Sequence, residues 1–458
     1  MLFHSWHFAI FFIIVYSIYF PLRKTRFYLH WLLIASYVFY GWWNPFYLLI
    51  IAYSTTVNYF AVILMERSQR KKLWLAVGVV NSLLLLGFFK YSVFAVDNLN
   101  ALLSMFRAPY TIPAPGILFP VGISFYTFQA VSYTIDVYRG KVDREKSFVR
   151  FATFVSLFPR LLAGPIERAG NVLPQLTEKP RISPENVTDG LSLFVVGIFK
   201  KVALADYLAL YVDKVYAAPD LFDGLTLMMA SFAFAWQIYF DFSGYSDMAR
   251  GIARMMGFDL MLNFNNPYLA TGLGDFWSRW HISLSSWFRD YLYIPLGGNR
   301  KGKFNTYRNM FITMVVSGLW HGAAWTFVIW GALHAVGRFM TRELERTEFY
   351  AERIPRLVKQ TSVFIFVTFA WIFFRASSIG DAATIVKRIF TAGMADPKFP
   401  VLALLLCLSI WLYQFLFESR IKRILEWRPL KIGVVCLIIL YLVIFARAGN
   451  EAFIYLQF

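Results

Sequence analysis

The chain of 458 residues is 58% hydrophobic and 19% aromatic, with only 16% charged residues and a formal net charge of +18. A soluble domain averages about 25% charged residues, so this composition excludes an ordinary soluble protein and argues for an integral membrane protein. The positive charge sits in clusters between apolar runs, "RKTR" at 23–26, "RSQRKK" at 67–72, "GNRKGK" at 298–303 and "RIKRILEWRPLK" at 420–431. That is the positive-inside pattern of a membrane protein facing anionic lipid, and no nucleic-acid-binding module accompanies it.

A membrane-spanning helix needs about 17–25 apolar residues. Segments that meet this are 6–22, 27–44, 46–65, 73–93, 117–137, 189–213, 224–241, a broken 309–341, 361–376, 400–418 and 433–449. The first run carries His4 ahead of it and "RKTR" behind it, the wrong polarity for a cleaved signal peptide. It reads as a first membrane helix with its N-terminus outside. Alternation from there puts the clusters at 23–26, 67–72 and 420–431 on the cytoplasmic side. Residues 148–165 are apolar but interrupted by Pro159, Arg160, Gly164 and Pro165; backbone of this kind survives at membrane depth only inside protein or along a cavity, so a re-entrant segment is expected. Residues 242–308 contain no clear span. Their Trp277, Trp280, Ile282, Leu284, Trp287 and Phe288, mixed with Arg279, Arg289 and Asp290, are expected to form a helix at the membrane interface. Cys407 and Cys436 both lie in apolar runs and are expected to be packing residues, since their spacing fits neither a disulfide framework nor a metal site.

Ionisable groups at membrane depth are costly, which makes them candidates for function. Of the six histidines, His4, His7 and His30 lie near helix ends, where water is close. His321 lies in the middle of 309–341, flanked by Gly318 and Gly322. Two readings stand: a neutral imidazole that ties helices together, or a general base with a pKa suited to taking a proton from a hydroxyl. His281 follows Trp280 and precedes Ser283 and Ser285; no H-x-x-x-H or Cys pair makes it a metal ligand, and its spacing leaves a Ser-His-Asp triad open although no G-x-S-x-G elbow is present. "DFSGYSD" at 241–247 gathers Asp241, Tyr245 and Asp247 after an apolar run, either as a helix-end cap or as polar support for a site. "PLGGNRKGK" at 295–303 pairs glycines with cations, as a phosphate cradle or as a solvated loop.

Taken in order, "LLIASYVFYGWWNP" (32–45), "FPVGISFYTFQAVSYTIDVYRG" (119–140), "FPRLLAGPIER" (158–168), "QIYFDFSGYSDMARG" (237–251), "FWSRWHISLSSWFRDYLYIPLGGNRKG" (276–302), "YRNMFITMVVSGLWHGAAWTFVIWGALHA" (307–335) and "FIYLQF" (453–458) resemble the membrane-bound O-acyltransferase (MBOAT) family, and within it the bacterial alginate O-acetylation type. The resemblance implies an all-α polytopic membrane protein of the MBOAT fold. About eleven transmembrane helices, with re-entrant and interfacial helices, would surround a transmembrane tunnel. It implies one domain over 1–458, with N-terminal helices in 1–116, a catalytic core in 117–345 and C-terminal helices in 346–458.

It further implies a bacterial inner-membrane enzyme with no bound cofactor and no metal. Such an enzyme moves an acyl group from a cytoplasmic thioester, acetyl-CoA, to an acceptor hydroxyl. Its partners would be membrane lipid, acyl-CoA and an extracytoplasmic SGNH-type acetyltransferase that decorates the polysaccharide. By motif, His321 of "GLWHG" is the deep catalytic histidine and His281 of "RWHISLS" the second. Arg289, Asn299, Arg300, Lys301, Lys303 and Trp280 would bind the donor, and Asp241, Tyr245, Asp247 and Trp320 would give the tunnel its polar support. Where related sequences often carry His or Gln, this chain has Arg160, free to bind an anion or to neutralise Glu167. Peptidoglycan or another wall polymer is the alternative acceptor, and a transporter of acyl groups without catalysis, or a docking scaffold, the alternative function.

Overall fold

Every regular element among the described residues, 1–419 and 427–445 of a computed structural model, is helical. Lipid offers backbone groups no partner, and an apolar run satisfies them internally only by coiling. In chain order the helices are α1 (Trp6–Leu22), α2 (Tyr28–Gly41), α3 (Phe46–Arg67), α4 (Lys71–Met105), α5 (Ile123–Tyr138), α6 (Phe148–Ser156), α7 (Phe158–Leu161), α8 (Ala169–Thr177) and α9 (Pro184–Ile198). A π-helical stretch, Phe199–Ala205, joins α9 to α10 (Asp206–Tyr216). Then follow α11 (Gly224–Met255), α12 (Leu273–Arg279), α13 (Ile282–Phe288), a second π-helical turn at Arg289–Tyr293, α14 (Gly302–His321), α15 (Trp325–Leu344), α16 (Arg356–Arg375), α17 (Ile379–Thr391), α18 (Val401–Phe417) and α19 (Arg428–Phe445).

Four of these, α3, α4, α11 and α16, are long and apolar enough to cross a membrane, and α1, α18 and most of α19 are shorter apolar helices. The basic cluster at 420–431, the end of the 433–449 run and the closing "FIYLQF" fall wholly or mostly outside the described residues.

The helices form two compact units, 1–191 with 249–261 and 192–248 with 262 onward. In the first, Asn58 of α3 donates to Ser82 of α4 at 2.9 Å and accepts from Thr134 of α5 at 2.9 Å, so one buried amide ties three helices. The apolar 148–165 segment is broken, as its prolines predict. Helix α6 has nine residues, α7 has four, and 162–168 is not helical, yet 151–167 is buried throughout.

Three expectations change. "DFSGYSD" does not cap a helix end, because α11 runs unbroken through it for 32 residues. The span expected at 189–213 is interrupted by the π-helical stretch, and the interruption explains the polar knot. Lys201 forms ion pairs with both Asp206 and Asp241 at 2.8 Å, and Lys200 pairs with Asp247 at 2.7 Å. A π-bulge adds a residue to one turn, and here both lysines turn toward α11. Close approach makes this possible: a Cβ on Gly197 would lie 2.6 Å from the Gly244 carbonyl oxygen. The third change concerns 275–298, which is not one interfacial helix. It breaks between α12 and α13, and Trp280, His281, Leu284, Trp287 and Phe288 are all buried. Of the two cysteines, Cys407 is buried while Cys436 lies on an exposed face of α19.

The antiparallel hairpin of α14 and α15 is closed by small residues. A Cβ on Gly318 would fall 2.2 Å from the Phe327 carbonyl oxygen, and one on Gly331 would fall 2.4 Å from that of Met314. Gly318→Ala is therefore expected to push the hairpin apart and to cost about 1–3 kcal/mol, visible as a lower unfolding temperature of the detergent-purified protein. Lys201→Met strands two buried carboxylates beside each other. A loss of about 3–5 kcal/mol is expected, much of it recovered in the triple variant that also carries Asp206→Asn and Asp241→Asn.

Candidate active site

His321 is the last residue of α14, where Gly322 turns the chain into an extended conformation before α15 begins at Trp325. No side chain fits at that turn, since a Cβ on Gly322 would enter the ring of Phe327 at 2.0 Å. The His321 ring is 3% exposed, and aromatic rings enclose it: Trp320 at 5.0 Å, Trp330 at 5.2 Å and Phe374 at 5.4 Å between centroids.

His281 lies at the break between α12 and α13. Its φ of +43° puts a non-glycine residue in the left-handed region, a conformation that costs roughly 1–3 kcal/mol and persists only when its surroundings impose it. Asn263 imposes it. Its carbonyl accepts from the Ile282 amide at 2.9 Å, and its side-chain Oδ1 accepts from the Ser283 hydroxyl at 2.9 Å and the Ser283 amide at 3.2 Å. The Asn263 amide nitrogen in turn donates to Ser246 of α11 at 3.1 Å. The His281 ring packs edge-on to Phe242 at 4.5 Å and stands 6.4 Å from the ring of His321. Two histidines 40 residues apart in sequence thus share one buried aromatic compartment.

A third histidine belongs to the same cluster, and sequence reasoning assigned it no role. His334, one turn beyond Trp330 on α15, is fully buried against Trp330 (4.8 Å) and Trp277 (5.1 Å). Neither of its ring nitrogens has a hydrogen-bond partner among the described residues. The signal was an imidazole on an apolar helix face, which by itself does not separate a packing residue from a working one.

Beside the histidines runs a cavity of about 300 Å³. Met310, Thr313, Met314 and Ser317 line it along one face of α14, Leu273, Gly274 and Trp277 come from α12, and Leu284, Ser285, Phe288, Arg289 and Tyr293 from α13 and the π-turn. Arg338 and Arg342 of α15 complete it. Because α14 and α15 are antiparallel, both arginines flank the Met310 end, while Ser317 lies one turn from His321. The cavity therefore has cations at one end, apolar walls, and a histidine just past the other. Arg338 is tied to Glu345 at 3.0 Å, whereas Arg342 makes no ion pair or hydrogen bond among the described residues.

Of the expected donor-binding residues, Arg289 lines this cavity. Asn299, Arg300, Lys301 and Lys303 are exposed on the turn before α14 and on its first residues, and they do not line it. Lys303 is paired with Glu343 at 2.7 Å. Its ammonium and the Tyr307 hydroxyl hold the Glu343 carboxyl down at about 2. Trp280 is sealed among Phe276, Tyr268 and Trp371 and does not face the cavity. Asp241 and Asp247 are neutralised by Lys201 and Lys200, while Tyr245 is buried and Trp320 packs on both site histidines. The two lysines were missed although they sit inside an apolar run, which was their signal. Arg338 and Arg342 were missed because only the hairpin brings them opposite α12.

Residues 141–380 match the sequence profile of the MBOAT, membrane-bound O-acyltransferase family. Among similar proteins, a probable alginate O-acetylase of Pseudomonas aeruginosa is 43% identical over 367 residues, 79% of this chain and 69% of the relative. A peptidoglycan O-acetyltransferase of Helicobacter pylori is 36% identical over 388 residues, 78% of this chain and 72% of the relative. A teichoic acid D-alanyltransferase of Bacillus subtilis is 26% identical over 275 residues, covering 57% and 69%. With this similarity, and with apolar helices long enough to cross a bilayer several times, the chain belongs to the membrane-bound O-acyltransferase family and is a multi-pass membrane acyltransferase.

Proposed function

We propose that this protein transfers an acetyl group from cytoplasmic acetyl-CoA toward an extracytoplasmic partner protein of the SGNH type, for O-acetylation of an alginate-like exopolysaccharide. The observation that carries this reading is a cation-flanked apolar cavity whose Ser317 lies one helical turn from the buried His321. The acceptor class is supported by the names of the relatives, of which the alginate O-acetylases reach 43% identity against 36% for the peptidoglycan enzyme. A bacterial inner-membrane location with the N-terminus outside is supported by the alternation of basic clusters along the chain.

In this reading His321 is the general base. It takes the proton of the acceptor hydroxyl while that oxygen attacks the thioester carbonyl. The tetrahedral intermediate then expels the coenzyme thiolate, and the histidine returns the proton to it, so the acetyl group moves and the histidine ends as it began. The thioester is already activated, and holding the two reactants together in a site closed by Trp320, Trp330 and Phe374 supplies positioning and excludes water. His281, held in a strained backbone by Asn263, orients the donor side. Arg289, Arg338 and Arg342 receive the phosphates of the nucleotide, and the apolar walls between Trp277 and Met314 take the pantetheine arm.

His321→Ala is expected to lower acetyl transfer from acetyl-CoA to the partner or to a soluble acceptor by at least ~100-fold. Turnover like that of the wild type in this variant would leave a transporter or a scaffold as the better description. For the donor site, Arg338→Ala/Arg342→Ala is expected to raise the KM for acetyl-CoA by roughly tenfold or more with a smaller change in kcat, from the loss of charge-assisted contacts. Arg300→Ala/Lys301→Ala should leave that KM nearly unchanged, and the opposite ranking would restore the "GGNRKGK" turn as the phosphate cradle.

A further inference from the structure

Arg160, in the short turn Phe158–Leu161 of the first unit, is 0% exposed, and none of its Nε, Nη1 and Nη2 has a hydrogen-bond partner among the described residues. Its guanidinium carbon lies 4.7 Å from the centre of the Phe154 ring. That cation–π contact uses one face of the group and leaves the N–H bonds, which lie in its plane, unserved. The acid offered by the sequence as its counter-ion is committed elsewhere. Glu167 is near enough for its charge to act on Arg160, but it accepts from the Asn171 amide at 2.7 Å and from the Met261 backbone N–H at 2.5 Å and forms no direct ion pair with Arg160 among the described residues.

A second buried group points the same way. Gln129 of α5 is 0% exposed, and both its side-chain oxygen and nitrogen lack partners among the described residues. It stands one turn before Tyr133, on the same helix face, and the Tyr133 ring is 6.4 Å from that of Phe154. The preceding end of α5 backs directly onto the 158–162 turn. Gly122, at φ +80°, lies so close that a Cβ there would be 2.7 Å from the Leu161 carbonyl oxygen. Between α5 and this turn the chain therefore buries a guanidinium and an amide, rich in donors, with the Phe154 ring against the guanidinium and buried apolar residues around them. A guanidinium does not shed its proton, and burying one is costly when no acceptor meets its N–H bonds, even with a carboxylate nearby.

We propose that Arg160, assisted by Gln129, forms a buried oxyanion site that takes a carboxylate or phosphate group. The planar fork of the guanidinium matches two oxygens on one centre, and the apolar walls suit either a phospholipid phosphodiester or the anionic end of a soluble molecule. The site lies in the first unit, and its existence does not depend on the acyl-transfer reading.

The test uses the full-length protein purified in a neutral detergent, as wild type, Arg160→Met and Gln129→Leu. Phospholipid co-purifying with each is quantified by mass spectrometry. Unfolding temperature is then measured with added phosphatidylglycerol, sodium phosphate or sodium acetate against chloride at matched ionic strength. Retention of about one anionic phospholipid per wild-type chain, lost in Arg160→Met, assigns the site to a lipid headgroup. A rise of about 2 °C or more with phosphate or acetate, absent in Arg160→Met, assigns it to a soluble oxyanion. Gln129→Leu keeps the guanidinium and is expected to weaken either response about tenfold, which decides the matter if Arg160→Met does not fold. Neither retention nor a rise in the wild type, or equal responses in wild type and variants, overturns the proposal.

Discussion

Lipid gives a polar group nothing to bond with, and the organisation of both units follows from that constraint. Each buried donor or acceptor has to meet a partner supplied by another part of the chain. In the first unit Asn58 meets Ser82 and Thr134, which binds three helices through one amide. In the second, two lysines and three aspartates meet across a π-helical bulge and a glycine contact. Polar residues in the interior thus specify which helices pack together, while the apolar surfaces only keep them in the bilayer. At Arg160 and Gln129, as at His334, the described residues leave that rule unmet, and at Arg160 the unserved group carries a full charge.

The site histidines are placed by backbone before they are placed by side chains. His321 sits where a helix must stop, because Gly322 and Gly318 let α15 fold back at a distance that no Cβ tolerates. His281 sits where two short helices meet at a left-handed residue, and Asn263 locks the joint through main-chain and side-chain hydrogen bonds. Once both backbones are fixed, the surrounding tryptophan and phenylalanine rings leave each imidazole little rotational choice. Rigid support of this kind is what a transfer between two bound reactants requires, since the gain from proximity is lost by small misplacements.

The elements were legible to different degrees, and the physical reason differs with each. Uninterrupted apolar runs such as α3 and α16 announce themselves by length, and the break in 309–341 was visible in its glycines. The continuation of α11 through "DFSGYSD" was hidden, because two aspartates and two serines in a row look like an end until their partners are known. Those partners, Lys200 and Lys201, were themselves hidden as charges inside an apolar run. Each half of the network looked anomalous alone and becomes ordinary only as a pair. Similarly, "GGNRKGK" carries more positive charge than Arg338 and Arg342, but charge density along a chain says nothing about which cations face a cavity.

By itself the sequence determined the medium, the helical class and the family, and it offered two histidines as candidates, because composition, run length and ordered motifs are properties of the chain taken linearly. The tertiary structure alone decided which groups stand together: His281 within 6.4 Å of His321, His334 behind Trp330, and arginines of α15 at the end of a cavity that begins near His321. The reason is geometric. Whether two side chains meet depends on helix crossings set by glycines and bulges a few ångströms wide, and those distances are not written in the spacing of residues along the chain.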